Sequence, residues 1–557
     1  MNQGELRDII KKYALQNAVF YNGRANPQAV LGKVLASEPG LRKHVQLVRE
    51  EIERVVSEVN TLHLEEQKTL LHNIDPKLLE RQEKVQVPLP GLPNAQEGKV
   101  VTRFAPAPTG PLHISHIMRA AMLSYLYAKK YSGKFIVRFE DTDAKKIDGQ
   151  FYDMIKNDLH AVGIKWDEIV LESDFMDLYY KYAKKLFDKK KFYVCVCPQE
   201  NFKKLKEKKK NCPCRRNSAK KNLELWKQML AGKFREGRAV VRLKTSMKHK
   251  NPALRDPPML RISKAPHPKK GRKFFVWPLY NFANVVADHY NRITHVFRAK
   301  EHQHNTEIQS LLYKALKWEP PETVNFGLVY LPGEKLHKRD IIEGFRKKSY
   351  TGWNDIKLPT IQALVRRGFH PDTFRESAIM CGLSKTDIRL DWENIEGINR
   401  KVIDPLANRY MVVTDPVRIE IDTTGDVKSV ETPLHPDFPD RGDKKIPVSD
   451  FIYISRDDFE RLSGKEFRLK NLFNIVLRDK VGHYAGSSVK KEHQKVQWVS
   501  EPHVKVKILT KENVLQGLGE PAMQQLKVGD IIQMERIGFG RVDKKEKEGI
   551  VIAFAHK

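Results

Sequence analysis

The chain has 557 residues, with 100 Lys or Arg against 69 Asp or Glu, a formal net charge of +31 at pH 7. This length exceeds what one hydrophobic core supports, so roughly three to five domains of about 100–200 residues are expected. The 40% hydrophobic content excludes wholesale disorder. The basic excess favours a polyanionic partner, although a lysine-rich chain with solvated charges would show the same balance.

The start of the chain lacks the apolar core of a secretory leader, since MNQGELRDIIKKYALQ mixes charged and apolar residues. No run approaches the roughly 20 apolar residues needed to cross a bilayer. We therefore expect a cytoplasmic protein that makes no membrane contact.

Residues 1–97 are predicted to form a helical domain. One stripe of apolar residues recurs at intervals of three and four, which places it on a single helix face. It consists of Val45, Val48, Ile52, Val55, Val59 and Leu62. Prolines in VQVPLPGLPNAQEG, residues 85–98, favour extended backbone and mark the end of this domain.

A strand, a turn, a helix and a second strand follow from residue 98. KVVTRFAP and KFIVRFED have the pattern of strands, and FAPAPTGPLHISHIMRAAM between them carries His113 and His116 at the start of a helix. This order predicts a parallel sheet with a ligand site at the carboxyl edge of its strands. Phosphates are favoured at helix N-termini, and two imidazoles would add side-chain donors there. The alternative is that both histidines only satisfy the start of the helix.

At this segment the sequence resembles the class I aminoacyl-tRNA synthetases, whose HIGH signature is similar to HISH at residues 113–116. RFAPAPTGPLH and VRFEDTD resemble the archaeal-type glutamyl-tRNA synthetases. Other segments similar to that branch are VWPLYNFANVVADH, ITHVFRAKEHQHNTE, SYTGW and INRKVIDPLANRY. The resemblance implies ATP-dependent ligation of L-glutamate to the 3′ end of tRNA(Glu) through a glutamyl-adenylate, with Mg²⁺ accompanying ATP.

The resemblance also implies a multidomain α/β-plus-β fold, acting as a monomer. A Rossmann-type parallel-sheet catalytic domain is expected in two halves, residues 98–192 and 276–345. An acceptor-stem-binding region would be inserted over 193–275, a helical stem-contact region would follow over 346–408, and anticodon-binding β-barrels would occupy 409–557. The short strands separated by turn residues after Tyr410 are themselves typical of barrels.

Residues of the active site follow from the resemblance, position by position. His113, His116 and Lys338 are the expected catalytic residues. The predicted ATP-binding residues are Pro106, Thr109, Gly110, His113, His116, Lys335, Lys338 and Arg339. The predicted glutamate-binding residues are Arg103, Ala105, Glu140, Tyr280, Asn284 and Arg298. Two guanidiniums and one acid complement the two carboxylates and the ammonium of glutamate.

Two signature positions depart from the family pattern. Ser115 stands where the HIGH signature has glycine, and KLHKR at residues 335–339 stands for KMSKS, with His337 in place of a serine. Serine adds only a small side chain, and Lys338 retains the cation that would neutralise departing pyrophosphate.

Alternatives to a glutamyl-tRNA synthetase remain open at this point. A glutaminyl-tRNA synthetase shares the architecture, but that branch typically has aspartate at the position of Glu140, asparagine at that of Asp143 and no basic residue at that of Arg298, so the resemblance favours glutamate. A buried arginine facing a neutral amide would also keep an uncompensated charge. A non-catalytic tRNA-binding paralogue would keep fold and charge without the reaction. The sequence does not decide whether tRNA(Gln) is charged as well.

Four cysteines in the predicted insert have the spacing of a metal site. Cys195, Cys197, Cys212 and Cys214 form two CxC pairs separated by 14 residues. Four thiolates suit a closed, tetrahedral, structural zinc site. Four free buried cysteines are the alternative. Lysine-rich segments in the same insert, KKLKEKKK and KKGRK, would either follow RNA phosphates or form a solvated face.

Overall fold

A computed structural model describes residues 3–20, 23–38, 40–41, 45–79, 89–331, 338–423, 427–490 and 492–557. The chain divides into two compact units, Met1–Pro88 and Leu89–Lys557. In the described residues, no helix has both the length and the apolar character that spanning a membrane requires.

The first unit is helical. Its helices are α1 (Gln3–Phe20), α2 (Pro27–Ser37), α3 (Val45–Thr61) and α4 (Leu64–Ile74). The predicted apolar stripe lies on α3, where Val48, Ile52, Val55 and Val59 are buried against the other helices. Asn26 caps α2 by accepting from two backbone N–H groups, and Pro27 takes the first helical position, where its missing N–H costs nothing.

The second unit begins with alternating strands and helices. They are β1 (Val101–Phe104), α5 (Met122–Lys130), β2 (Lys134–Phe139), α6 (Gln150–Ala161), β3 (Glu168–Leu171) and α7 (Met176–Asp188). A wide π-helical turn over His116–Ala121 leads into α5. A Cβ on Gly133 would lie 2.0 Å from the carbonyl oxygen of Val100, so glycine is required where β2 starts beside β1.

A four-stranded antiparallel sheet with its own helices follows. Its elements are β4 (Phe192–Cys195), α8 (Gln199–Glu207), α9 (Ala219–Leu230), β5 (Val240–Leu243), β6 (Pro258–Ile262) and β7 (Val276–Pro278). Two ion pairs join this insert to the segment after β2: Arg261 with Asp143 at 2.6 Å and Lys145 with Glu236 at 2.5 Å.

The chain then returns to the first sheet through α10 (Tyr280–Tyr290), β8 (His295–Ala299), α11 (Gln303–Leu316) and β9 (Glu322–Phe326). All neighbouring strands in this sheet are parallel, in the order β3-β2-β1-β8-β9. This is a Rossmann-type sheet, as the sequence predicts. The strand order reverses between β1 and β8, and the carboxyl edge at such a switch point is where ligands bind in doubly wound sheets.

Helices and two short strands link this layer to the last part of the chain. They are β10 (Val329–Tyr330), α12 (Lys338–Arg346), α13 (Ile361–Arg367), α14 (Pro371–Cys381), β11 (Ile388–Arg389) and α15 (Trp392–Ile403). The arginines at the end of α13 contact the carboxyl-terminal strands. Arg366 donates twice to Asp543, at 2.7 and 2.6 Å, and Arg367 donates to the carbonyl oxygens of Phe554 and Ala555.

Two seven-stranded sheets form the remainder. Their elements are β12 (Asn408–Tyr410), β13 (Val412–Thr414), β14 (Pro416–Ile421), β15 (Ser429–Pro433), β16 (Asp443–Pro447), β17 (Phe451–Ser455), α16 (Arg456–Leu462), β18 (Glu466–Leu469), β19 (Asn474–Arg478), β20 (Val481–Tyr484), β21 (Lys495–Val496), β22 (Val499–Ser500), β23 (Val504–Leu509), β24 (Val514–Gly519), β25 (Ile531–Met534), β26 (Gly538–Glu546) and β27 (Gly549–His556).

The strand order shows that these sheets curl. One sheet has the order β12-β25-β26-β27-β23-β24-β13 and the other β21-β18-β19-β20-β14-β17-β22, while β15 and β16 pair separately. β12 and β13 are separated by a single residue yet lie at opposite ends of the first sheet, so that sheet must close on itself. Each sheet encloses its own apolar core, as expected for the predicted barrels.

Candidate active site

The segment between β1 and α5 lines a cavity of about 410 Å³ at the carboxyl edge of the parallel sheet. The cavity brings together five of the predicted ATP-binding residues, together with three residues from α12 and the start of α13. The predicted ones are Pro106, Thr109, Gly110, His113 and His116, and the others are Ile341, Pro359 and Thr360. Ala105, predicted to bind glutamate, lies in the same lining.

The KLHKR signature, residues 335–339, lies partly outside the residues that the structure describes. Lys335 lies outside the described residues, as does His337. Lys338 and Arg339 open α12, and their side chains are not part of what the structure describes. Their predicted roles therefore stay predictions, although Ile341 places the same helix on the cavity wall.

The two signature histidines are stacked. Their ring centroids are 3.6 Å apart with an interplanar angle of 31°. The backbone N–H of His113 donates to Nδ1 of His116 at 3.4 Å, so the ring proton of a neutral His116 sits on Nε2. Burial lowers the pKa of His113 to about 2, and partial loss of water lowers the pKa of His116, whose side chain stays partly exposed, to about 4. Both rings are thus neutral near pH 7, and each can donate one N–H to a phosphate.

Backbone contacts fix this histidine segment against α13. His113 forms an isolated β-bridge with Thr360, and the N–H of Ile361 donates to the carbonyl of Leu112 at 3.1 Å. The N–H of Leu112 in turn donates to the buried carboxylate of Asp158 at 3.1 Å. These bonds hold the turn in the concave shape that lines the cavity.

The predicted glutamate-binding residues converge beside this cavity from four elements. Arg103 lies on β1, Glu140 directly follows β2, Tyr280 and Asn284 share one face of α10, and Arg298 lies near the end of β8. The amide Nδ2 of Asn284 donates to Oε1 of Glu140 at 2.9 Å. Burial raises the pKa of Glu140, which Arg103 and Asn284 oppose, and burial raises the pKa of Tyr280 to about 12.

Arg298 has only neutral partners. It is 7% exposed, and it donates to the side-chain oxygens of Gln309 at 2.9 Å and Thr306 at 2.8 Å. No carboxylate in the described part of the chain lies within ion-pair distance, and its buried Nε has no hydrogen-bond partner there. Burial lowers the pKa of Arg298. A buried cation without an anion is costly, so this geometry suits a carboxylate brought by a ligand.

Sequence reasoning missed the buried polar residues behind these groups. Arg138, Asp288 and Glu172 lie within the same network, and Gln309 and Thr306 hold Arg298. One signal was available for Asp288, which follows Asn284 by four residues on α10 and therefore shares its face. Arg138 looks like an ordinary strand residue in KFIVRFED, and its partners come from distant parts of the chain.

The four cysteines of the insert form one cluster. Their sulfur atoms all lie within 4.8 Å of one another, and three Sγ–Sγ separations are 3.3, 3.6 and 3.7 Å. A tetrahedral zinc ion with Zn–S bonds of about 2.3 Å requires edges of about 3.8 Å, so the cluster fits that geometry closely. The hydrogen bond between the two thiols lowers the pKa of Cys195 to about 5 and raises the pKa of Cys212, so a bound cation would have to displace the remaining thiol protons.

A second cavity of about 410 Å³ lies between the two seven-stranded sheets. Ion pairs neutralise most of its charged lining, such as Lys444 with Glu520 at 2.7 Å. Two neutral buried atoms that line it, Oγ1 of Thr432 and Oε1 of Gln533, have no hydrogen-bond partner in the described residues. In the described residues the cavity therefore offers unpaired groups of neutral side chains together with the buried Nε of Arg409, which also lacks a hydrogen-bond partner.

Comparison with known proteins places these features in one family. Residues 99–405 match a model described as "tRNA synthetases class I (E and Q), catalytic domain", and residues 407–496 and 495–543 match two models described as the "anti-codon binding domain" of the same synthetases. Proteins named "Glutamate--tRNA ligase" from Pyrococcus furiosus and Pyrococcus abyssi are each 44% identical to the chain, and the alignments cover 99% of this chain and 100% of those proteins.

A solved glutamate tRNA ligase from Elizabethkingia meningosepticum is 21% identical, and the match covers 56% of this chain and 70% of that chain, with a TM-score of 0.40. The chain belongs to the class I tRNA synthetases of the E and Q branch.

Proposed function

We propose that this protein activates L-glutamate with ATP and transfers it to the 3′ end of tRNA(Glu). The relatives named glutamate–tRNA ligase support the reaction, and the geometry of Arg298 supports the choice of amino acid. A glutamine side chain would leave this buried guanidinium without a counter-charge, whereas the side-chain carboxylate of glutamate would supply one. The glutaminyl alternative is therefore disfavoured.

Charge complementarity extends to the rest of the pocket. Glu140 lies where it would meet the ammonium of the substrate, and an ammonium beside it would favour its ionised form over the neutral form that burial favours. Arg103 would bind a carboxylate through the nitrogen that its protein partners leave unused. The two guanidiniums and the acid then match the three charges of glutamate.

The reaction requires two transfers at one site. A carboxylate oxygen of glutamate bonds to the α-phosphorus of ATP, and pyrophosphate leaves with the electrons of the broken P–O bond. A hydroxyl of the terminal adenosine of tRNA then attacks the acyl carbon, loses its proton, and AMP leaves. His113 and His116 would donate to the phosphates, and Lys338 would neutralise pyrophosphate. ATP is expected as its Mg²⁺ complex, in which the cation screens the phosphate charge.

Two further features support tRNA as the partner. The matched anticodon-binding models span both curled sheets and so include the cavity between them. Unpaired Thr432 Oγ1 and Gln533 Oε1 would suit the edge of a base that enters this cavity, since neutral donors and acceptors read bases while cations bind phosphates.

Zinc is proposed for the cysteine cluster. Cys195, Cys197, Cys212 and Cys214 would be its ligands, and a tetrathiolate site without an open position would be structural. Its chemistry would be to cross-link β4 with the segment before α9. No step of the reaction depends on it.

Pyrophosphate exchange tests the proposed function. Exchange with glutamate, ATP and tRNA(Glu) is expected, and exchange with glutamine is not.

Replacing both His113 and His116 by alanine should abolish exchange and leave tRNA affinity unchanged, because the phosphates lose donors while the barrels are untouched. His160→Ala, at the exposed end of α6, is the matched control and should retain exchange. tRNA binding by the wild-type protein without any exchange or charging would instead favour the non-catalytic paralogue. The same assay with tRNA(Gln) decides whether that tRNA is also a substrate.

A further inference from the structure

We propose that Asp288, Asn284 and Arg138 are positioning residues: together they form a buried anchor that orients Arg103 and Glu140 toward glutamate without touching it. This inference rests on the proposed function, because it assigns roles within the same pocket. It changes the role predicted from sequence for Asn284, which was expected to bind the substrate directly.

Asp288 fixes the guanidinium of Arg103 from one side. Its Oδ1 accepts from Nε of Arg103 at 3.0 Å, and its Oδ2 accepts from Nη2 at 3.4 Å. Within the described residues, Nη1 of Arg103 has no hydrogen-bond partner, which leaves that nitrogen for a ligand. A guanidinium held by two of its three nitrogens presents the third in a defined direction.

Asn284 has no hydrogen-bonding capacity left for a substrate. Its Oδ1 accepts from Nη2 of Arg103 at 3.2 Å and from Nη2 of Arg138 at 2.9 Å. Its Nδ2 donates to Glu140 at 2.9 Å and to the carbonyl of Tyr280 at 3.1 Å. A side-chain amide makes at most four such bonds, and this residue is 0% exposed. One amide therefore links the group that would bind a carboxylate to the group that would bind the ammonium.

Arg138 is the third residue of the anchor and contacts Asp288. It is 0% exposed, and it donates to Oδ1 of Asp288 at 2.6 Å. Burial opposes ionisation of Asp288, but Arg103 and Arg138 outweigh it and lower the pKa of that carboxyl. Burial and the neighbouring Glu140 raise the pKa of Glu172, the other acid beside Arg138, well above its ordinary value. Asp288 is thus the anionic partner of both arginines.

The anchor predicts a selective kinetic effect. Loosening Arg103 and Glu140 should weaken glutamate binding and its alignment for attack, while the histidine cavity that would bind ATP is built from other contacts. In pyrophosphate exchange, Asp288→Asn should raise the KM for glutamate about tenfold or more, with the KM for ATP changed less than about twofold.

A double-mutant cycle separates positioning from a general structural role. If Asp288 acts through Arg103, the effect of Asp288→Asn on kcat/KM for glutamate should nearly vanish in an Arg103→Ala background. Asp458→Asn is the matched control, because Asp458 is also a buried carboxylate held by two arginines, Arg461 and Arg536, but lies on α16 in the barrel region. It should lower the melting temperature without changing the KM for glutamate.

Asn284→Ser is the second variant, in case Asp288→Asn does not fold. It removes the linking amide and keeps both arginine–Asp288 ion pairs, and it should also raise the KM for glutamate. In an Arg103→Ala background its effect should shrink but not vanish, because Asn284 also holds Glu140. Equal effects on the KM values of glutamate and ATP, or effects that add fully to Arg103→Ala, would overturn the anchor. Absence of glutamate-dependent exchange in the wild-type protein would contradict the proposed function itself, and so the two failures are distinguishable.

Discussion

Arg298 is held by an amide and a hydroxyl, and this choice of partners bears directly on specificity. Gln309 and Thr306 fix the orientation of the guanidinium without neutralising it. A carboxylate partner from the protein would have satisfied the cation in the free enzyme and left no advantage for an acidic substrate. These two partners therefore leave the charge of Arg298 uncompensated, and under the proposed function the carboxylate of glutamate would compensate it.

Replacing Arg298 by cysteine should remove one charge-assisted hydrogen bond to glutamate. Such a bond is worth about 1.5–3 kcal/mol, which corresponds to a fall in kcat/KM for glutamate of about 10- to 150-fold. Discrimination against glutamine should weaken in parallel, and tRNA affinity should not change. Aminoacylation kinetics with both amino acids measure this. Arg375→Cys, at an exposed site on α14, is the control and should change neither quantity. If the Arg298 variant instead has normal glutamate kinetics and weak tRNA binding, Arg298 contacts a phosphate and not the amino acid.

The hydrogen-bond partners of the two ring nitrogens of His556 determine its protonation state. Oδ1 of Asn399 accepts from the backbone N–H of His370, so the other amide atom, Nδ2, donates to Nε2 of His556 at 2.9 Å. The other ring nitrogen bonds the carbonyl of Lys557. His556 must accept at Nε2 and is therefore neutral, which agrees with the lowering of its pKa to about 4 by burial.

Acid should therefore weaken the junction between α15 and β27. The unfolded histidine has a pKa near 6.5 and the folded one a pKa of about 4, so the unfolded chain binds the proton first. The stability that His556 contributes is complete above pH 6.5 and is lost as the pH falls toward 4, by up to about 3 kcal/mol. Denaturant unfolding at several pH values should show this slope, and His556→Gln should make it shallower, with His113 and His116 supplying the remainder. An equally steep slope in the variant would assign the effect to other groups.

Elements differ in how far the sequence predicts them. The βαβ unit around His113 and the apolar stripe of α3 follow from periodicity within about 20 residues, and both are confirmed. The cysteine cluster follows from two local CxC pairs and a fold that brings them together. Pairing of β13 with β24 could not be predicted, because their partners, such as Val412 and Gly519, lie more than a hundred residues apart. The proposed anchor of Asp288, Asn284 and Arg138 could not be predicted for the same reason. Arg138 and Asp288 are distant in the sequence, and only the folded sheet brings them together.

Zinc should be an integral part of the insert. Metal analysis of the purified protein should find about one zinc per chain, lost on replacing Cys195 and Cys214 by serine, because two thiolates cannot complete a tetrahedral site. The insert should then become more sensitive to proteolysis. Cys381→Ser, a buried cysteine outside the cluster, is the control and should retain the metal. A metal-free preparation with full activity and normal protease resistance would contradict the assignment.

At the scale of the whole molecule, the formal charge of +31 is divided between buried and exposed side chains, which should respond differently to salt. Under the proposed function, the buried charges of Arg103 and Arg298 would bind the amino acid and would be little affected by salt, because screening acts on exposed charges separated by water. Exposed lysines and arginines, in contrast, would release counterions from tRNA when they bind its phosphates. Salt should therefore separate the two classes of charge within one enzyme.

Raising the salt concentration from about 50 to about 200 mM should weaken tRNA binding by about 100-fold or more, as expected when several phosphates are neutralised. The KM for glutamate over the same range should change less than about twofold, because its ligands are desolvated. Both can be measured on one preparation, tRNA affinity by equilibrium binding and the KM for glutamate by exchange at saturating tRNA. A tRNA affinity that stays constant with salt would mean that the basic excess is a solvated surface, which is the alternative that composition alone leaves open. A glutamate KM that rises as steeply as the tRNA dissociation constant would instead mean that Arg103 and Arg298 bind their ligand in open solvent, against the burial on which the specificity argument depends.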